Sequence, residues 1–208
     1  MSTLSMTALV LVDIQNDFLP GGALAVPEGD QIIPIVNSLL PRFELIVATQ
    51  DWHPPDHASF AANHPGRKPY EQIDLDGLPQ TLWPVHCVQN TGGALLAPAL
   101  DTRRVARVFP KGADPRIDSY SGLFDNGHRQ STGLAEWLRE RGVSGIYAAG
   151  LATDYCVKFT ALDAIGEGFR VHLIEDACRG VNLVPDDTDR ALDQMRSAGV
   201  RVIRSGDV

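Results

Sequence analysis

The chain has 208 residues, 44% hydrophobic and 21% charged, with a formal net charge of -8. That length and makeup fit one globular domain with a substantial core and exclude a disordered or repetitive chain. The acidic balance excludes phosphate-backbone binding to nucleic acid, which needs clustered Lys and Arg.

The three cysteines, Cys87, Cys156 and Cys178, are too few and too scattered for a disulfide framework. The N-terminal stretch MSTLSMTALVLVDIQ lacks a basic flank, and Asp13 breaks its short apolar run, so it does not read as a signal peptide. Met1 and Met6 are both candidate starts. No segment has the apolar length of a membrane span. The expected location is the cytoplasm.

In chain order, short runs rich in aliphatic residues predict strands at 8–13, 44–50, 104–109, 145–150, 170–176 and 200–205. Several are nearly continuous in apolar residues, the pattern of strands covered on both faces. Helical patterns fall between them. The segment 28–43 has an apolar stripe with Pro34 in its first turns. Segment 131–142 opens on Ser or Thr and ends at Gly142, 153–168 opens on Thr153 or Asp154, and 185–199 carries Pro at its start and Gly at its end. This alternation predicts an α/β three-layer fold with a mostly parallel sheet. Residues 51–103 stand apart as a long connection rich in Pro and His, with little periodicity. Loops of that length are usually functional or disordered.

Ligands of such sheets bind beyond the C-terminal strand ends, where strand order reverses. Three residues follow predicted strands there: Asp13 in LVDIQNDF, Lys111 in VFPKGAD and Cys156 in GLATDYCV. A buried structural cysteine would serve anywhere in the core. One in the first turn of a helix, near a lysine, has reason to be a thiolate, because both lower a thiol pKa. A carboxylate nearby would oppose the thiolate but can take the thiol proton as a base. The N–H groups of that first turn could receive an oxyanion. Acid, cation and thiol at one sheet edge would make a covalent hydrolase.

The second constellation is QDWHPPDH (50–57) with WPVHC (83–87). Asp51 and His53, two apart in extended backbone, point to one side. With His86 they form a two-His, one-carboxylate shell that leaves positions open for a metal's other ligands. The alternative is a polar loop whose histidines bind nothing. His57 gains no support from its spacing, since Pro54 and Pro55 exclude a helix. Cys87 reads as packed, and His64, His128 and His172 as ordinary polar residues.

The pieces LVDIQNDFLPGGALAV, ATQDWHPPDH, WPVHC, FPKG and GLATDYCV together resemble the nicotinamidases of the isochorismatase-like cysteine hydrolase superfamily, in family order across nearly the whole chain. The resemblance implies one hydrolase domain over residues 1–208, with a metal-binding loop region at about 51–103. It also implies a six-stranded parallel sheet of order 3-2-1-4-5-6 between layers of helices. Cys156 would be the nucleophile, Asp13 the proton acceptor and donor, and Lys111 the cation that holds them ready. Asp51, His53 and His86 would bind a divalent metal, Zn²⁺ first, with Fe²⁺ or Mn²⁺ as alternatives, and His57 matches a further ligand found in some members. A cis peptide between Leu151 and Ala152 would aim the Ala152 N–H, with that of Cys156, into an oxyanion hole. Phe18, Trp83 and Tyr120 match positions around the pyridine ring.

The implied reaction is hydrolysis of nicotinamide to nicotinate and ammonia through a thioester, with pyrazinamide as a second substrate and NAD salvage as the purpose. No nucleic-acid or membrane partner is expected, and oligomeric state is open. The rivals are an amidase of carbamoyl or ureido substrates, which needs no metal set, a vinyl-ether hydrolase, which needs no cysteine, and a non-catalytic zinc-binding scaffold.

Overall fold

The structure is a computed structural model, which describes residues 6–208; the candidate start Met1 lies outside the described residues. Strand β1 (Met6–Val12) is the centre of the sheet. Alternate residues of β1 serve two cores. Ala8, Val10 and Val12 pack into one apolar cluster, Leu9 and Leu11 into the other. Burial on both faces is why this run is continuous in apolar residues.

Helix α1 (Ile32–Leu39), flanked by 3-10 turns, covers the second cluster, and β2 (Leu45–Asp51) follows it. Within the long connection, β3 (Gln72–Leu75) and β4 (Leu78–Thr81) form an antiparallel hairpin apart from the main sheet. Its turn, Asp76-Gly77, has positive φ at both residues (55° and 82°), the geometry Asp-Gly favours.

Strand β5 is Arg107–Lys111, shifted from the predicted 104–109. Asp101 caps a 3-10 turn at Thr102–Arg104, which delays the strand. Lys111 is therefore the last residue of β5 rather than one beyond it, and Pro110 is tolerated because β5 is an edge strand.

Helix α2 (Leu134–Glu140), strand β6 (Val143–Leu151), helix α3 (Lys158–Gly166), strand β7 (Arg170–Arg179), helix α4 (Asp187–Ser197) and strand β8 (Arg201–Ile203) complete the chain. Residues of α2, α3 and α4 pack on the first core cluster, opposite α1. The predicted helix start at Thr153 is instead a π turn, Thr153–Val157, that leads into α3. Asp154 does not cap it: its carboxylate accepts the N–H groups of Val181 and Asn182 at 2.9 and 2.7 Å.

The sheet has six parallel strands in the order β5-β2-β1-β6-β7-β8. With the hairpin strands set aside, this is the expected 3-2-1-4-5-6. Order reverses between β1 and β6, so the switch point lies where Asp13 and the segment after Leu151 leave the sheet. Among the described residues, no helix is long and apolar enough to cross a membrane.

Gly150 marks the closest approach at that point. It adopts φ +139°, and a Cβ there would lie 2.0 Å from the carbonyl oxygen of Val12. Backbone cannot move aside for it. Gly150→Ala is expected to destabilise the fold by about 4 kcal/mol, near the upper end for a single substitution. Urea unfolding followed by circular dichroism measures this, and a change under 1 kcal/mol would contradict the packing described.

Candidate active site and metal centre

Four strand ends converge. Asp13 follows β1, Asp51 ends β2, Lys111 ends β5, and Cys156 lies in the turn after β6. Lys111 stands two strands from β1, roughly 10 Å in the sheet, and its long side chain crosses above β2 to reach the others.

The Lys111 ammonium is buried. It donates to Asp51 Oδ1 at 2.5 Å, to the Ser119 carbonyl at 2.7 Å and to Cys156 Sγ at 3.4 Å. Asp13 Oδ2 is 3.0 Å from the same nitrogen. Asp13 Oδ1 accepts from Thr49 Oγ1 at 2.6 Å.

Burial sets the proton affinities. It raises the Asp13 pKa above the usual carboxylate value, against the pull of Lys111. Burial opposes charge on Lys111 too, but Asp13 and Asp51 outweigh it and raise its pKa well above normal, so it stays an ammonium. Cys156 corrects the sequence expectation. Burial pushes its thiol well above the ordinary value, and Asp13 and Asp51 add to that against Lys111. The resting group is a thiol whose neighbour, Asp13, can accept its proton.

The second group lies beside the first. Asp51 Oδ2 is 3.5 Å from His53 Nε2 and 3.8 Å from His86 Nε2. These three ligand atoms lie within 4.8 Å of one another. Each histidine places its Nδ1 against a carbonyl oxygen, Gly112 at 2.9 Å and Pro84 at 2.8 Å. A carbonyl only accepts, so each Nδ1 carries the hydrogen and each Nε2 presents a lone pair to the gap. Two imidazole nitrogens and one carboxylate oxygen, so oriented, suit a divalent metal ion. Burial opposes charge on His53, yet Asp51 outweighs it and raises its pKa, a measure of the negative field a cation would meet.

His57 is engaged elsewhere. Its Nδ1 accepts from Ser59 N–H at 3.2 Å and faces Ser59 Oγ at 2.7 Å, while Nε2 faces the Ile117 carbonyl at 3.3 Å. It also falls in a second cluster with His53 and Asp118. Cys87 is buried and lies in neither of the two metal-type clusters containing His53. His64 bonds a carbonyl, His128 faces Asp163, and His172 stacks on Tyr147.

A pocket opens onto both groups. Cys156, Ala152, Asp51 and His86 lie in its lining, as do Phe18, Trp83 and Tyr120. Ala152 follows a cis peptide bond to Leu151. The sequence reading did not select Tyr155, Leu24, Val181 or Asp118, which also line the pocket. Tyr155 adjoins Cys156 in the motif, which was the available signal, and its ring stands edge-on to Trp83 at 4.9 Å. Nothing local marks Leu24 or Val181, which distant loops bring in. Trp83 Nε1 and Gln80 Nε2 donate to Tyr120 Oη at 3.3 and 3.1 Å, which fixes that wall.

A parallel α/β sheet with an acid, a lysine and a thiol gathered at its switch point is the architecture of hydrolases that work through cysteine. Residues 7–207 match the Isochorismatase domain family, and the chain belongs to that family. It is 52% identical to the nicotinamidase of Escherichia coli over 204 residues, covering 96% of this chain and 95% of that one. The fold superposes on a nicotinamidase/pyrazinamidase of Acinetobacter baumannii with a TM-score of 0.95 at 47% identity, covering 99% of both chains. It also matches a zinc complex of the pyrazinamidase of Pyrococcus horikoshii, with a TM-score of 0.79 at 42% identity over 95% of this chain and 98% of that one.

Removing the buried cation would leave Asp13 and Asp51 facing each other with no ammonium between them. Lys111→Met is expected to destabilise the protein by about 3–5 kcal/mol, the usual penalty for removing one partner of a buried ion pair. Chemical denaturation of the metal-free protein measures it. Unchanged stability would mean that the carboxylates are not held by this ammonium.

Proposed function

We infer that the chain is an amidohydrolase that converts nicotinamide to nicotinate and ammonia, accepts pyrazinamide as well, and serves NAD salvage. The observation that carries this is the meeting, in one aromatic-walled pocket, of the buried Asp13–Lys111–Cys156 cluster with the Asp51–His53–His86 donors. High identity to curated nicotinamidases across almost the full length supports the same reaction. A carbamoyl amidase would use the first cluster but has no need of the second. A scaffold would need neither the acid nor the cation beside the thiol.

The whole chain acts as one hydrolase domain, with the segment 51–103 supplying all three metal donors. Phe18, Trp83 and Tyr120 pack around the pyridine ring and bring its carboxamide to Cys156. Asp13 takes the thiol proton as Sγ bonds to the carboxamide carbon. The developing oxyanion is received by the N–H groups of Ala152 and Cys156. Asp13 then passes its proton to the amide nitrogen, the C–N bond breaks, and ammonia leaves a nicotinoyl thioester. Water, deprotonated by Asp13, attacks the thioester, nicotinate departs, and the sulfur recovers its proton. Lys111 remains charged throughout and balances the negative charge that accumulates on Asp13 and sulfur.

A divalent metal on Asp51, His53 and His86, with zinc the first choice, would anchor the pyridine nitrogen as a Lewis acid. His57 keeps its bonds to Ser59 and Ile117 in this reading and serves as a ligand only if it gives them up. The reaction belongs in the cytoplasm.

Ammonia release from nicotinamide and from a carbamoyl amide tests the assignment. Release from nicotinamide is expected, and release from the carbamoyl amide alone would overturn the substrate. Cys156→Ala should lower kcat by on the order of 10⁵ or more while keeping its metal; normal turnover would remove the thioester route. His86→Ala should lose the metal and raise KM roughly tenfold or more. Full metal retention would take His86 out of the ligand set.

A further inference from the structure

The turn that follows β1 carries more than Asp13. Gln15 is fully buried, and its side-chain amide makes three hydrogen bonds of 2.8 Å. Nε2 donates to the carbonyls of Asp51 and Ala94, and Oε1 accepts from the Asp51 N–H. These bonds replace a missing rung of the sheet. Strand β1 pairs with β2 as far as Leu11 beside Ala48, and the chain then turns away at Asp13, where φ is +49°. The inward N–H and C=O of Asp51 would otherwise be buried without partners, which is costly. On its other side Asp51 is held by pairing with Lys111 of β5.

Two residues further on, Asp17 Oδ2 accepts the Cys87 N–H at 2.7 Å. Cys87 follows His86, and its carbonyl accepts the N–H of His53 at 3.0 Å. One residue thus ties the two histidine stretches together, in a left-handed conformation (φ +46°) that few non-glycine residues adopt unaided. Asp17 fixes it from outside. The Asp17 carboxylate is itself seated against Gly93, where a Cβ would come 2.1 Å from Oδ2, and the Asp17 backbone N–H donates to the Gly93 carbonyl at 3.0 Å.

We propose that Gln15 and Asp17 are positioning residues of the metal centre: between them they hold the backbone at Asp51, His53 and His86, so that the three donor atoms stand assembled before a metal arrives. The inference rests on the metal-site reading above. Neither side chain lines the pocket or belongs to a donor cluster, so each acts only through the ligands it places. Residues that orient metal ligands commonly change affinity by about 10- to 100-fold.

The test is the Zn²⁺ affinity of the full chain, measured by competition with a chromophoric chelator. Asp17→Ala and Gln15→Met are expected to bind Zn²⁺ about 10- to 100-fold more weakly. Asp17→Asn keeps an acceptor oxygen for the Cys87 N–H and should recover most of the loss. In Asp17→Ala, which leaves the Asp51 backbone untouched, the Zn²⁺ concentration giving half-maximal activity should rise in parallel with the dissociation constant, while kcat at saturating Zn²⁺ changes far less. Alkylation of Cys156 by iodoacetamide in metal-free Asp17→Ala should proceed at the wild-type rate. Folded variants with wild-type Zn²⁺ affinity would overturn the proposal, as would a fall in kcat without a fall in affinity. If Gln15→Met does not fold, the Asp17→Ala and Asp17→Asn pair decides the matter alone. A His86→Ala control that retains Zn²⁺ would remove the metal-site reading itself, which separates the two failures.

Discussion

The ammonium of Lys111 is the interaction on which the site depends. It is closed off from water and lies within 3.4 Å of two carboxylates, a carbonyl and a thiol. Without it, the ends of β1 and β2 would bring two buried acids together with nothing to balance them, a juxtaposition that burial makes expensive. With it, strand ends from both sides of the switch point can converge. The sheet order makes this possible, because a lysine on the edge strand β5 can reach across β2 while Cys156 comes over from β6. The charge cluster is tolerated because its members stand at, or one turn beyond, the ends of fixed strands.

The burial that makes the cluster costly also decides its chemistry. A cysteine at the start of a helix, beside a lysine, suggests a stored thiolate. In the structure burial and two acids oppose that charge, and the segment around Cys156 is a π turn rather than a regular first helical turn. The proton rests on sulfur, and Asp13, itself made more basic by burial, is the group able to take it. In the proposed reaction, nucleophile and base are therefore matched to each other: the thiol ionises as the substrate carbon is attacked.

How much of this could be read from the sequence follows from what is local and what is not. The central strands β1, β2 and β6 were the most legible because each is an apolar run buried on two faces, and Ala8 to Val12 shows why alternation is absent. Their order came from resemblance, since periodicity carries no topology. The hairpin β3–β4 escaped because its strands are four residues long and half exposed, although its Asp-Gly turn was a readable mark. Asp13, Lys111, Cys156, Asp51, His53 and His86 were visible as strand-end or motif residues. Gln15 and Asp17 sit in the same motif as Asp13 but do not stand out in it, because an amide or carboxylate that bonds only backbone leaves no chemical signature. Leu24 and Val181 reach the pocket through tertiary contacts alone.

Asp51 joins the two halves of the site. One of its oxygens accepts the Lys111 hydrogen and the other faces His53 and His86. Lys111 holds the Asp51 carboxyl well below the usual carboxylate range even though burial works the other way, so the oxygen turned to the histidines favours carrying its charge. A cation seated there meets a permanent anion, and the lysine that secures the anion is the one that touches the nucleophile. In the proposed reaction, substrate anchoring and bond cleavage are thus tied by a single carboxylate rather than placed side by side by chance. A side chain that displaced Asp51 would disturb both at once, which explains why so much of the turn after β1 is spent on holding its backbone.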